Sequence, residues 1–255
     1  MKQLFFLSLC FFCITCFAFP QPSSDSLWLK YGNREFNCLV FPPPDSSLTT
    51  GVIIVHEEWG LTDWVKSFSK QIAAEGYLVI VPDFLSGHKT EKDSLPIFVN
   101  ENVIRTALLN ANTEQIMSDL DESFKYLKSH PSCNGKIAII GFSWGGTQAF
   151  SYLANNPGLS AGYMFYGTSP INKKDLSRIQ SPVYGFYGEY DSRVNSSIGN
   201  TEHKMHKLGK VFQSYIIDGG GHGFMRSGER LGATEDNIKA RTAAWNKLME
   251  LLAGI

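Results

Sequence analysis

The chain has 255 residues, 43% of them hydrophobic and 18% charged, which is enough to bury one large core. Its formal net charge of -1 is carried without a block of one sign. Composition therefore gives no sign of a nucleic acid, or of an anionic membrane surface held by a polybasic segment, as partner, and leaves small neutral or mildly anionic ligands.

The first segment, MKQLFFLSLCFFCITCFAFP, places one lysine ahead of an uncharged apolar run over residues 4–19, with the small Ala18 as a cleavage point. This is the pattern of a secretory signal peptide, residues 1–18. The run is shorter than the roughly 20 residues of a membrane span, and an uncleaved anchor is the alternative reading. Cleavage subtracts only Lys2 from the charged residues and removes Cys10, Cys13 and Cys16. The expected product is secreted or periplasmic, without stable membrane insertion, and keeps Cys38 and Cys133. An oxidising compartment permits one disulfide between them, but spacing does not say whether they meet.

Residues 25–255 read as a single domain, expected to be a monomer. SLWLKYG and REFNCLVFPPP form two strands around a turn at Gly32-Asn33. GVIIVHEEWG is a β-branched strand ending in polar residues, and TDWVKSFSKQIAAEG is an amphipathic helix capped by Thr62 or Asp63 and stopped by Gly76. YLVIVPDF is the next strand. The charged, asparagine-rich stretch 85–113 breaks the rhythm; it is read as a cap or variable segment with a short helix over residues 95–109. EQIMSDLDESFKYLKSH is a helix, KIAIIGFS a strand, and WGGTQAFSYLANN a helix stopped by Pro157. AGYMFYG, SPVYGFYGE and VFQSYIID continue as strands, with helices near 202–208 and 235–253. His203 and His206, in the first of these helices, read as a solvated face and not as metal ligands. Apolar strands alternating with helices predict a mostly parallel sheet of about eight strands covered on both faces. Ligands of such sheets bind beyond the carboxyl ends of the strands.

Gly141-Phe142-Ser143-Trp144-Gly145 fits G-x-S-x-G between a strand and a helix. A strand that turns sharply into a helix presents the middle side chain, and the flanking glycines avoid the clash of Cβ atoms. The turn sets Ser143 beside the first amides of the helix, so the N–H of Trp144 is a candidate oxyanion donor. A serine hydroxyl needs a base, and the base an acid to orient it. In sheets of this kind the chain order is Ser, acid, His. Asp191 in YGEYDSRV follows one strand, and His222 in DGGGHGFM follows the last. Glu189 and Asp218 are the competing acids.

The segments HEEWGLTDWVKSFSKQIAAEGYLVIVPDF, GKIAIIGFSWGG, YGEYDSRV and GGGHGFMR, in this order, resemble the dienelactone hydrolase family of α/β-hydrolases. The resemblance implies an α/β-hydrolase fold and a cofactor-independent carboxylic ester hydrolase, with carboxymethylenebutenolidase as one type, acting on a small ester or lactone. It places the nucleophile at Ser143, the acid at Asp191 and the base at His222. It adds Glu57 beside the nucleophile, the Glu58 N–H as second oxyanion donor, and Arg226 as an anchor for a substrate carboxylate. Trp59 and Trp144 flank the site as pocket residues or as upper core, and Phe224 lies near them. The chain departs from the family in one respect: its best-known members carry cysteine where Ser143 stands. A carboxylate that tunes a thiol has no direct counterpart with serine, so the role of Glu57 stays open. A second family arginine precedes the nucleophile strand; Arg105 is the only arginine there, at a spacing that does not match. A general carboxylesterase, an acyl-peptide hydrolase and a non-catalytic binding module on the same fold are the alternatives.

Overall fold

The computed structural model describes residues 24–87, 100–170 and 172–255; the predicted signal peptide and the first part of the predicted 95–109 helix lie outside them. One eight-stranded sheet runs through the described residues in the order β1-β2-β4-β3-β5-β6-β7-β8. β1 (Asp25–Tyr31) and β2 (Arg34–Phe41) form the antiparallel hairpin expected around Gly32-Asn33, and β2 pairs antiparallel with β4 (Leu78–Pro82). From β4 onward all neighbours are parallel: β3 (Thr49–Val55), β5 (Cys133–Phe142), β6 (Ala161–Phe165), β7 (Val183–Gly188) and β8 (Phe212–Ile217).

The central strands are apolar throughout because both of their faces are covered, and the two-residue period divides their side chains between two cores. Ile53, Val55, Ile137 and Ile139 point to one side. There they meet Ile116, Leu120 and Leu127 of α3 (Thr113–Ser129) and Ala149, Phe150 and Leu153 of α4 (Trp144–Asn155). Val52, Ile54, Ala138 and Ile140 point to the other, against Val65, Phe68 and Ile72 of α1 (Asp63–Ala74) and Ala240, Ala244 and Leu248 of α9 (Glu235–Ala253). Each such aliphatic side chain contributes roughly 1.5–3 kcal/mol by leaving water. Thr62 caps α1 through its hydroxyl on the Val65 amide. Arg34 of β2 holds the fully buried Asp119 of α3 by two hydrogen bonds of 2.8 and 2.7 Å, tying the antiparallel edge to the helical layer.

Two details differ from the sequence reading, and the cysteine question left open there has an answer. α2 occupies Glu101–Leu109 behind an Asn100 cap, the later part of the predicted helix. α7 begins earlier than read, at Ile198: Gly199 and Asn200 are weak helix formers, but Ile198, Thr201 and Met205 share a buried face that carries the helix through them. Cys38 and Cys133 are free thiols, and burial pushes Cys38 up to about 12. Among the described residues no helix is long and apolar enough to cross a membrane.

Candidate active site

Ser143 stands between the end of β5 and the start of α4 with φ 52° and ψ -115°, a conformation in which a side chain is strained. The surrounding contacts enforce it. A Cβ on Gly145 would lie 2.2 Å from the carbonyl oxygen of His56 and 2.5 Å from that of Val55, and one on Gly141 would lie 2.3 Å from the Gly145 carbonyl oxygen. Only glycine lets the first turn of α4 press against the ends of β3 and β5, as the motif predicted. The Ser143 amide donates to the Phe165 carbonyl across 2.9 Å, which fixes the turn to β6.

The ends of β7 and β8 supply the partners. Asp191 caps the short helix α6 (Ser192–Asn195): its Oδ1 accepts from the Val194 amide at 3.4 Å, and its Oδ2 accepts from His222 Nδ1 at 2.6 Å. The loop bearing His222 crosses directly over β7, because Gly188 has no Cβ to strike the Gly220 and Gly221 carbonyl oxygens, each 2.6 Å from where one would sit. A carboxylate can only accept, so Nδ1 carries the ring proton and Nε2 presents its lone pair to Ser143 Oγ at 2.9 Å. The carboxylate is nearly sealed from solvent, while the imidazole is about one third exposed. Hydroxyl, imidazole and carboxylate thus form an unbroken path for one proton. Glu189 instead accepts from the Gly219 amide at 2.9 Å.

Ser143 and His222 open into a cavity of about 490 Å³ lined also by Glu58, Arg105, Trp144, Thr168 and Arg193. Neither the Glu58 nor the Trp144 amide has an acceptor among the described residues. Both amides belong to residues on this wall. Arg105 reaches the cavity from α2, lying 3.9 Å from the Glu58 carboxylate and over the Trp59 ring at 5.8 Å.

Glu57 and Arg226 meet each other across 169 residues of sequence: Arg226 Nε donates to Glu57 Oε2 at 2.7 Å. Burial pushes the Glu57 carboxyl above the usual range, with the Arg226 charge opposing it. Arg226 and Trp59 line a neighbouring cleft of about 660 Å³ with Trp64, Glu101 and Arg230. Trp144 lines the serine's own cavity, whereas Phe224 is fully buried core.

Two contributors escape a reading of the sequence. Arg193 sits two residues beyond Asp191, and Tyr166 follows β6 with φ 42°. The Tyr166 ring meets His222 edge-on at 5.1 Å. Its hydroxyl is buried without a hydrogen-bond partner among the described residues. Burial, reinforced by the Glu57 charge, holds that hydroxyl in its protonated form. The position just after an apolar run was the signal for Tyr166.

Similarity to known proteins agrees with this fold. The sequence profile of the Dienelactone hydrolase family matches residues 36–255. A Salmonella typhimurium protein named "Putative carboxymethylenebutenolidase" is 25% identical over 214 residues, covering 79% of this chain and 76% of that protein. A dienelactone hydrolase-like promiscuous phosphotriesterase, P91 from metagenomic libraries, superposes with a TM-score of 0.74 at 18% identity, covering 92% of this chain and 99% of the other. The dienelactone hydrolase of Anabaena variabilis does so with a TM-score of 0.65 at 20% identity, covering 88% and 96%. With the α/β-hydrolase sheet and a profile match over nearly all of its described length, the chain belongs to the dienelactone hydrolase family.

Proposed function

We propose that this chain hydrolyses a small carboxylic ester or lactone through an acyl-enzyme on Ser143. The observation that carries the reading is the path Ser143 Oγ, His222 Nε2, His222 Nδ1, Asp191 Oδ2, with hydrogen bonds of 2.9 and 2.6 Å at the floor of a cavity large enough for a small substrate. His222 takes the proton of Ser143 as the oxygen attacks the ester carbonyl. The amides of Glu58 and Trp144, both without acceptors among the described residues, receive the oxyanion. His222 then gives the proton to the leaving alkoxide, and afterwards draws one from water as it attacks the acyl carbon; collapse of that second intermediate breaks the bond to Ser143 Oγ, which takes the proton back from His222 as the acid departs. Asp191 keeps the tautomer that makes both transfers possible. Glu57 makes no hydrogen bond to Ser143; its partner is Arg226, so its role with a serine nucleophile is to hold that arginine.

Arg105 and Arg193 on the cavity wall favour a substrate with an anionic group, and Arg226 faces the same end of the sheet from the adjoining cleft. The apolar leader over residues 4–19 supports export of a single hydrolase domain. The test compares neutral p-nitrophenyl esters with anionic esters and lactones by stopped flow. The account expects a burst of one product per chain, a preference for the anionic series, and a loss of roughly a thousandfold or more in Ser143→Ala. Arg193→Ala raises KM for the anionic series by about tenfold and leaves the neutral series unchanged. Turnover that persists in Ser143→Ala contradicts the reading.

A further inference from the structure

Among the described residues His56 is the one fully buried histidine of this end of the sheet, and the acyl-transfer steps above make no use of it. It is the residue after β3, directly before Glu57 and Glu58. Its Nδ1 lies 2.7 Å from the Glu57 carbonyl oxygen. A carbonyl accepts and never donates, so the proton is on Nδ1. Burial holds the ring below the ordinary imidazole range and therefore neutral. Nε2 is left buried without a partner among the described residues. A leucine of similar size fills such a space without orphaning a polar atom, so packing alone does not account for an imidazole here.

The Glu57 carbonyl and the Glu58 N–H belong to one peptide unit. That unit is planar and trans, so its C=O and N–H point in opposite directions. The carbonyl is held from the wall side by His56 Nδ1 and, more weakly, by the Gly60 amide at 3.2 Å. The N–H is thereby turned the other way and has no acceptor among the described residues. The same imidazole lies nearly parallel to Trp144, with ring centroids 5.9 Å apart and planes at 19°, and meets Phe84 edge-on at 5.2 Å. The His56 carbonyl oxygen is what forbids a Cβ at Gly145. One residue thus touches both segments that present free amides beside Ser143.

We propose that His56 is a positioning residue for the oxyanion site: its Nδ1–H fixes the Glu57–Glu58 peptide, and its ring sets the distance between that peptide and the Trp144 segment. This rests on the reading of the Glu58 and Trp144 amides as oxyanion donors. A hydrogen bond accepted by the carbonyl also polarises the amide and strengthens its N–H as a donor.

Three variants separate this from a packing role. Asparagine places an amide N–H near the position of Nδ1, glutamine carries it one carbon farther toward Nε2, and leucine has neither. With a p-nitrophenyl ester, His56→Leu and His56→Gln are expected to lose roughly tenfold to a hundredfold in kcat, less than the 10²–10³ of deleting an oxyanion donor outright. KM changes by less than about twofold, because the amides act on the transition state. His56→Asn retains kcat within about fivefold of the parent. Equal kcat in the folded asparagine and glutamine variants overturns the proposal, as does a fully active His56→Leu. An asparagine variant that fails to fold assigns the ring to packing and overturns it too. Failure of the underlying reading shows itself separately, as a parent chain whose burst does not map to Ser143.

Discussion

Replacing Ser143 by glycine removes the reacting hydroxyl and should also make the protein more stable than replacing it by alanine. Ser143 is held at φ 52° and ψ -115°, outside the regions open to residues with a Cβ, at a cost of about 1–3 kcal/mol. Alanine keeps its Cβ in that conformation, whereas glycine does not. Both variants lose the same 2.9 Å hydrogen bond to His222, so that loss cancels between them. Glycine gains freedom in the unfolded chain, which costs roughly 0.5–1 kcal/mol against alanine. The remainder favours Ser143→Gly over Ser143→Ala by up to about 2.5 kcal/mol, about 1 kcal/mol at mid-range. At this size the mid-range value is roughly 2–4 °C in Tm. Calorimetry and urea titration on the two inactive variants read the difference directly. A glycine variant equal to or less stable than the alanine variant refutes the claim that the turn is strained.

Further outcomes follow from the same contacts. Arg226→Met leaves the Glu57 carboxylate buried and unpaired and should cost about 3–5 kcal/mol at pH 8. Burial raises the folded Glu57 above its unfolded value, so the folded chain binds the proton more tightly. The penalty is therefore small below the unfolded carboxyl range and grows as pH rises through the raised value. Urea midpoints at pH 5 and pH 8 should show it, and Glu57→Gln on the Arg226→Met background should recover most of the loss; a pH-independent penalty contradicts the pairing. Gly145→Ala drives a Cβ into the His56 and Val55 carbonyl oxygens, at or beyond the upper end of the roughly 1–3 kcal/mol of overpacking. Gly199→Ala, in helix α7 with nothing within 4 Å, should instead stabilise by about 0.5–1 kcal/mol. Thermal denaturation ranks the pair, and a harmless Gly145→Ala contradicts the tight elbow.

The strands, the turn at Ser143 and the order Ser143, Asp191, His222 were legible because each rests on local chemistry: an apolar run, a glycine pair, a polar residue at a strand's end. The closing helix is legible for the same reason, its apolar residues recurring on one face from Glu235 to Ala253. What local pattern could not convey is how distant residues divide the work. Glu57 and Arg226 are 169 positions apart, yet they form an ion pair, and no spacing rule announces that the arginine is engaged by the glutamate. Arg105 matched no motif and still reaches the cavity, since α2 carries it over the strand ends. Tyr166 lies within the run AGYMFYG read as a strand, and only the packing around its positive φ reveals a ring against His222. Local segments thus told where the candidate site sits, while the assembled sheet told which charges face it.

The central claim is that Ser143 is the nucleophile and His222 its base. Reaction of the purified chain with a fluorophosphonate, followed by peptide mass mapping, tests it most directly. The expected result is a single adduct on Ser143, none in Ser143→Ala, and labelling slowed by several orders of magnitude in His222→Ala. An unlabelled chain, or an adduct on any other residue, contradicts it.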